Sequence, residues 1–400
     1  MVSKKRKVLL IILPVSLLLI WGAISLQHKA KQAGLDHGLF VAIGTDDTAT
    51  ALKLLEQGAN ADGHDPGNHY NLDRPVPRLI SKLRRLVDGE HEQQDDTSAL
   101  LYLCMCARPT FDPVTPAGTG PDLTLARSLI KHGARANASS AYCSSLGIAV
   151  TFQNLDLAKL LIECGAEVNI RDQNGATPVF DAAKVGSIPA LLLLKAHGAN
   201  LDPHDSDGAT PLMNAAASGK PEAVAFLLEN GAAVNAASTD GNTPILQAAR
   251  NNHFEAARIL LDHGASPEVR DIKGKTPLTN AAENADMRMV RLLVEHGAKI
   301  ETRNCTAQTP LIVASLQGKL DVVQYLIGRG ANIEAFDDNG DTPLTWATFN
   351  GQNSVARFLL DHHANWRHTD KHGMNALTIV DKNGADWQST IQLLATYGIK

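Results

Sequence analysis

Aromatic side chains are scarce in this sequence, with 9 Phe, 5 Tyr and 4 Trp among 400 residues. A protein that stacks nucleobases needs such rings beside a basic face. The formal net charge of −5 removes the basic face as well, so no nucleic-acid partner is expected. Cysteines number five, too few and too scattered for a disulfide framework. Cys104 and Cys106 stand one residue apart, which is neither a redox pair nor a zinc-finger spacing. Cys104, Cys106, Cys143 and Cys164 are expected to be buried as small apolar side chains, whereas Cys305 falls on a turn tip.

Catalytic signatures are missing too. There is no Gly-x-Ser-x-Gly, phosphate loop or dinucleotide fingerprint. His91-Glu92 leads to Asp95 where a zinc protease needs a second histidine. The pairs His64 with His69 and His368 with His372 bring no recognisable further ligands. His132, His197, His263 and His296 each precede a Gly-Ala pair, where exposed carbonyls at a helix end account for an imidazole. No catalytic residue, metal, cofactor or small-molecule substrate is therefore expected. What remains is an ordinary globular balance, 44% hydrophobic and 20% charged, long enough for a sizeable core.

Lys4-Lys5-Arg6-Lys7 precedes an uncharged, mainly apolar run from Val8 to Leu26. As a helix that run would span about 28 Å, close to the hydrocarbon thickness of a bilayer. Pro14 is tolerable in such a helix, and Trp21 suits an interface. Residues 1–7 thus read as a basic cytoplasmic segment, 8–26 as a transmembrane signal anchor and 27–35 as a linker. The positive-inside bias puts everything after the anchor across the membrane, with a bacterial inner membrane facing the periplasm as the preferred setting. A cleaved secretory signal is the alternative, although its apolar region is normally shorter.

The rest of the chain is periodic. Thr-Pro pairs at Thr177, Thr210, Thr243, Thr276, Thr309 and Thr342 recur every 33 residues without insertion or deletion. Gly-Ala pairs keep the same step at Gly165, Gly198, Gly231, Gly264, Gly297 and Gly330. A period in this range means a stacked array. Thr before Pro suits a helix N-cap and first turn. Small pairs such as Ala215-Ala216 allow close helix approach, and Gly186, Gly219, Asn252 and Gly318 break the first helix. A second helix carries paired leucines, as at Leu260-Leu261, and ends in Gly-Ala. Pairs such as Asn174-Gly175 and Asp207-Gly208 then mark tight reversals.

This unit resembles the ankyrin repeat. Ala209-Thr210-Pro211-Leu212 with Ala215-Ala216, and Gly330-Ala331-Asn332-Ile333, match its two signature blocks. The resemblance implies an all-α repeat solenoid, a helix-turn-helix stack with β-hairpin-like turns, over about ten units from residue 36 to 400. Two early insertions interrupt it. One lies near 62–97 and holds a candidate amphipathic helix at Val76–Val87; the other, near 108–121, is rich in Pro, Gly and Thr. The histidine usual after Thr-Pro-Leu is replaced by Phe180, Met213, Leu246, Thr279, Ile312 and Thr345, so its inter-repeat bond must be absent or replaced.

The resemblance also implies protein–protein binding on a concave side made of turn tips and first helices, without catalysis. Carried over by position, the contact residues are Gln173, Asn174, Lys184, Ser206, Asp207, Thr239, Asp240, Arg250, Ile272, Lys273, Glu283, Gln317, Asp338 and Asn339. Trp346 and Phe349 are the aromatic anchor candidates. The partner is expected to be another protein, with the chain acting as a tethered inhibitor or immunity-type protein. An enzyme sited in the 62–121 insertions, or a scaffold for membrane partners, are the alternatives.

Overall fold

The computed structural model describes residues 31–43, 47–60, 100, 123–137, 144–284, 286–381 and 388–398. The anchor, residues 27–30 of the linker, both insertions and three of the cysteines (Cys104, Cys106 and Cys143) lie outside the described residues. Among the described residues no helix is long and apolar enough to cross a membrane. Residues 31–35, read from the sequence as linker, already belong to a helix over 31–43, labelled α1. The Gln32 side chain there donates to Asp36 and to the Gly58 carbonyl, both at 2.8 Å, which ties this first turn to the repeat.

The chain forms two compact units, residues 1–178 with 196–198, and residues 179–195 with 199–400. In the first, α1 is followed by α2 (Thr48–Glu56), α3 (Leu123–Lys131), α4 (Ser145–Thr151) and α5 (Leu155–Glu163). α3 packs on both α2 and α5, and α4 packs on α5. Leu55, Leu129, Leu157 and Leu161 form its buried interior.

The second unit runs on through regular helix pairs. Its short first helices are α6 (Pro178–Val185), α8 (Pro211–Ala217), α10 (Pro244–Arg250), α12 (Pro277–Asn284), α14 (Pro310–Leu316) and α16 (Pro343–Phe349). The second helices are α7 (Ile188–Ala196), α9 (Pro221–Glu229), α11 (Phe254–Asp262), α13 (Met287–Glu295), α15 (Leu320–Gly328) and α17 (Asn353–Asp361). α18 (Thr378–Asp381) and α19 (Gln388–Thr396) follow. From α8 to α17, first helices pack on first helices and second helices on second helices.

Sequence chemistry explains the repeat. Thr210 adopts extended backbone, and its hydroxyl oxygen accepts the Met213 N–H at 3.4 Å, with Pro211 at the first helical position. Thr243, Thr276, Thr309 and Thr342 do the same for Leu246, Thr279, Ile312 and Thr345. Ala215, Ala216, Ala248 and Ala249 are fully buried, so larger side chains would drive neighbouring first helices apart. Gly219, Asn252 and Gly318 end first helices in left-handed backbone, at φ 62°, 60° and 70°. Leu227, Leu260, Leu293 and Leu359 fill the space beneath the second helices.

The residues standing where the resemblance led us to expect histidine are core side chains. Phe180, Met213, Leu246 and Ile312 are buried apolar fill. Thr279 and Thr345 instead bond within their own caps, Thr279 to Thr276 at 3.0 Å and Thr345 to the Thr342 carbonyl at 2.9 Å. Inter-repeat bonds come from elsewhere. His253 Nε2 lies 3.0 Å from the Ala217 carbonyl, and the Asn284 amide donates to the Arg250 carbonyl at 2.6 Å. A further series links successive units with a spacing of 31 residues: side chains of Asp202, Asn235, Glu268, Glu301 and Glu334 accept the N–H groups of Ala233, Ser266, Lys299, Asn332 and Asn365.

Candidate functional site

The turn tips carry most of the expected contact residues, and their geometry follows from one acidic or polar side chain each. Asp271 accepts the N–H groups of Lys273 and Lys275, both at 2.9 Å, and its own N–H donates to the Lys275 carbonyl at 3.1 Å. This folds Ile272-Lys273-Gly274 into a closed loop. Asp172, Asp205, Asn304, Asp337 and Asp370 build the same loop, and Ser238 supplies a single bond to the Asn242 N–H at 3.2 Å. These residues recur in the 33-residue frame, so the signal was present in the sequence.

From the Asp205 tip onward, each tip is joined to the next by one backbone bond. The N–H groups of Thr239, Ile272, Cys305, Asp338 and Lys371 donate to the carbonyls of Asp207, Asp240, Lys273, Thr306 and Asn339 at 2.8–3.1 Å. The hairpin-like turns expected from the resemblance are therefore linked loops; among the described residues no strand forms. Backbones fix the tips, while the side chains of Ser206, Asp207, Thr239, Asp240, Ile272, Lys273, Asp338 and Asn339 remain exposed.

Two grooves collect candidate residues within the second unit. The first, about 520 Å³, gathers Asp240, Arg250, Ile272, Lys273 and Glu283 from the expected set. Arg250 pairs with Asp271 at 3.0 Å and Lys275 with Glu283 at 2.6 Å, so charges of both signs are locally balanced. Between them Ile272 is 69% exposed, a large apolar side chain offered to solvent. Asn280 lines the floor, buried, with its amide nitrogen unpartnered. A surface of this kind can accept a chain that contributes an apolar contact at the tip and a hydrogen-bond acceptor below.

The second groove, about 310 Å³, contains Trp346 and Phe349 with Asp341, Asp370, His372, Met374 and Ile379. The two rings meet edge to face, 5.6 Å apart at 84°. Trp346 is half-buried, and its Nε1 donates to Asp337 at 3.0 Å. Asp341 is 7% exposed, and its Oδ1 has no hydrogen-bond partner. Burial first, then the neighbouring carboxylates of Asp337 and Asp370, push its carboxyl up to about 6, against smaller opposing effects of Thr345 and His372. Asp341 was missed in the sequence because it occupies the residue before the Thr-Pro cap, held elsewhere by Ala176, Ala209, Asn242, Lys275 and Gln308.

The other expected contact residues stand apart. Gln173 and Asn174 are exposed on a tip of the first unit, while Lys184 and Gln317 are exposed and line neither groove. Among the described residues no group of three or more His, Cys, Asp or Glu could hold a metal. His132, His263 and His296 place Nδ1 within 2.8–2.9 Å of the carbonyl four residues back, as expected of helix ends. Cys164 departs from its expected burial. It caps α5 in the position these histidines hold, so its thiol is exposed, as is that of Cys305.

Comparison with known proteins fits this architecture. The family model for ankyrin repeats (three copies) matches residues 146–238, 179–271, 247–337 and 311–400. The crystal structure of the human ASB11 ankyrin repeat domain is similar at 26% identity and a TM-score of 0.50. That match covers 55% of this chain and 97% of the other.

Proposed function

Because the chain belongs to the ankyrin repeat family, whose repeats are generally protein–protein interaction modules, we propose a tethered, non-catalytic receptor for a partner protein. The tips and first helices of the second unit form its binding face. The observation that carries this reading is the groove around Ile272, where a 69% exposed apolar side chain sits among four other carried-over contact residues. Exposed apolar side chains in a polar rim are what a protein interface uses at its centre. The Val8–Leu26 run and the basic residues before it support attachment to a membrane with the repeats on the far side. A rigid face held there would act by occupying a periplasmic or incoming protein, as an immunity-type inhibitor does.

The test is a photo-crosslinking side chain placed at Ile272 in the full chain, with Glu229 on a second helix as control. One protein adduct at Ile272, absent at Glu229, is expected; equal adducts at both would remove the face from consideration. A reporter fused after Lys400 reads the topology, and activity in the cytoplasm would sink the orientation.

A further inference from the structure

We propose that the groove between Trp346, Phe349 and Asp341 is a receptor for a cationic side chain of the partner, a guanidinium above all. The inference deepens the protein-binding reading of this face and rests on it. Two carboxylates, Asp341 and Asp370, line the groove and a third, Asp337, is bonded to its tryptophan; they are not equivalent. Asp337 is fully engaged: one oxygen accepts the Asn339 and Asp341 N–H groups and the other accepts the Trp346 indole. Asp370 is half-buried, and one of its oxygens, Oδ1, accepts the N–H groups of both His372 and Met374 at 2.8 and 2.7 Å. Asp341 is the buried carboxylate of the groove: more than nine-tenths of the residue is out of water, and its Oδ1 has no hydrogen-bond partner.

An unpaired buried carboxylate is costly, and its natural complement is a charged donor. Among the described residues no Lys or Arg lines this groove, and His372 is the basic residue that does. Fixed negative charge from Asp337 and Asp370, which already lifts the Asp341 carboxyl, would favour an incoming cation for the same reason. The aromatic wall selects among cations. Trp346 is held by its indole bond to Asp337 and by the Phe349 edge, so it offers a rigid surface. A planar guanidinium can stack on such a ring while presenting its N–H fork to a carboxylate, which an ammonium cannot do in the same way. Met374 and Ile379 complete a wall for the aliphatic stem of the same side chain. The first groove differs on this point, since its buried Asp271 and half-buried Glu283 already have Arg250 and Lys275, while its third carboxylate, Asp240, is exposed.

The probe is N-acetyl-arginine amide, titrated into the full chain labelled with 5-fluorotryptophan. Fluorine spectra resolve the four tryptophans; the Trp346 signal is identified by its loss in Trp346→Phe. The expected result is a saturable shift of that signal at millimolar arginine amide, absent with the neutral isostere N-acetyl-citrulline amide. In Asp341→Asn the apparent affinity should fall at least about tenfold. That variant removes a buried charge and is expected to fold. No shift, an equal shift with the citrulline compound, or unchanged affinity in Asp341→Asn would each overturn the proposal. A partner crosslinked at Ile272 together with a silent arginine titration would defeat this groove and leave the protein-binding function intact. An arginine response without any partner adduct would do the reverse.

Discussion

Replacing Asp341 by Asn should stabilise the protein near neutral pH, and the sign follows from its surroundings. The carboxyl is raised from 3.8 to about 6 in the folded chain, chiefly by burial and then by Asp337 and Asp370. Between those two values the folded state binds more protons than the unfolded state, so stability falls as pH rises. Above about 6 the full penalty is present; below about 4 it has gone. A shift of that size corresponds to about 3 kcal/mol, and the groove's opening to solvent trims this to about 1–3 kcal/mol. Asn keeps the shape and lacks the charge, and the main-chain bonds of residue 341 to Asp337 do not involve the side chain. Urea unfolding followed by circular dichroism at pH 3.5 and pH 7.5 separates the cases. The variant should match the wild type at the lower pH and exceed it by that margin at the higher. Because repeat arrays can lose all-or-none unfolding, hydrogen exchange in α16 and its neighbours gives a local reading of the same difference. A gain that is equal at both pH values, or no gain at either, would refute the buried-charge reasoning.

Other changes have clear expectations. Combined alanine replacement of Asp207, Asp240, Lys273 and Asp338 should weaken binding of the crosslinked partner, since central contacts can each cost over about 1 kcal/mol. Melting should barely move, because the tips are tied through backbone groups and surface changes usually stay within about 0.5 kcal/mol each. Gly274→Ala should cost more stability than Gly264→Ala. Both have positive φ, but a Cβ at 274 would come within 2.9 Å of the Cys305 backbone nitrogen, whereas at 264 nothing lies within 4 Å; paired denaturation curves check the order. Ala215→Leu should lower stability by about 1–3 kcal/mol through overpacking of a fully buried site, measured by the same curves.

The fold was legible because its determinants are local and repeated. Thr210 and its counterparts cap, Pro211 and its counterparts start, Gly219 and its counterparts stop, and each effect operates within a few residues. Such signals survive being read one unit at a time. The bonds that join units were less visible. Glu268, Glu301 and Glu334 recur in frame, yet nothing about an exposed-looking glutamate announces that it accepts an N–H from the next repeat. The start of α1 was missed for a related reason: residues 31–35 lack the repeat's own markers, and only the Gln32 and Asp36 bonds to the following turn show that they belong to it. Cys164 misled because burial was assigned by residue type, when position at a helix end decides it.

The binding face divides along the same line. Exposure of Asp240, Ile272 and Lys273 followed from their place on a tip, so carrying positions over by period found the first groove. The second groove depends on departures from the period. Trp346 stands where other units carry Asp181, Asn214, Gln247, Asn280 or Val313, and Asp341 stands where they carry small, amide or basic side chains. A periodic reading averages such positions away, although an array with identical units would have no means of telling one partner from another. Specificity in a repeat protein must reside in what breaks the repeat. By that argument an unpaired carboxylate beside the half-buried Trp346, retained against the stability of its own unit, is a better guide to the partner than the exposed residues that follow the pattern.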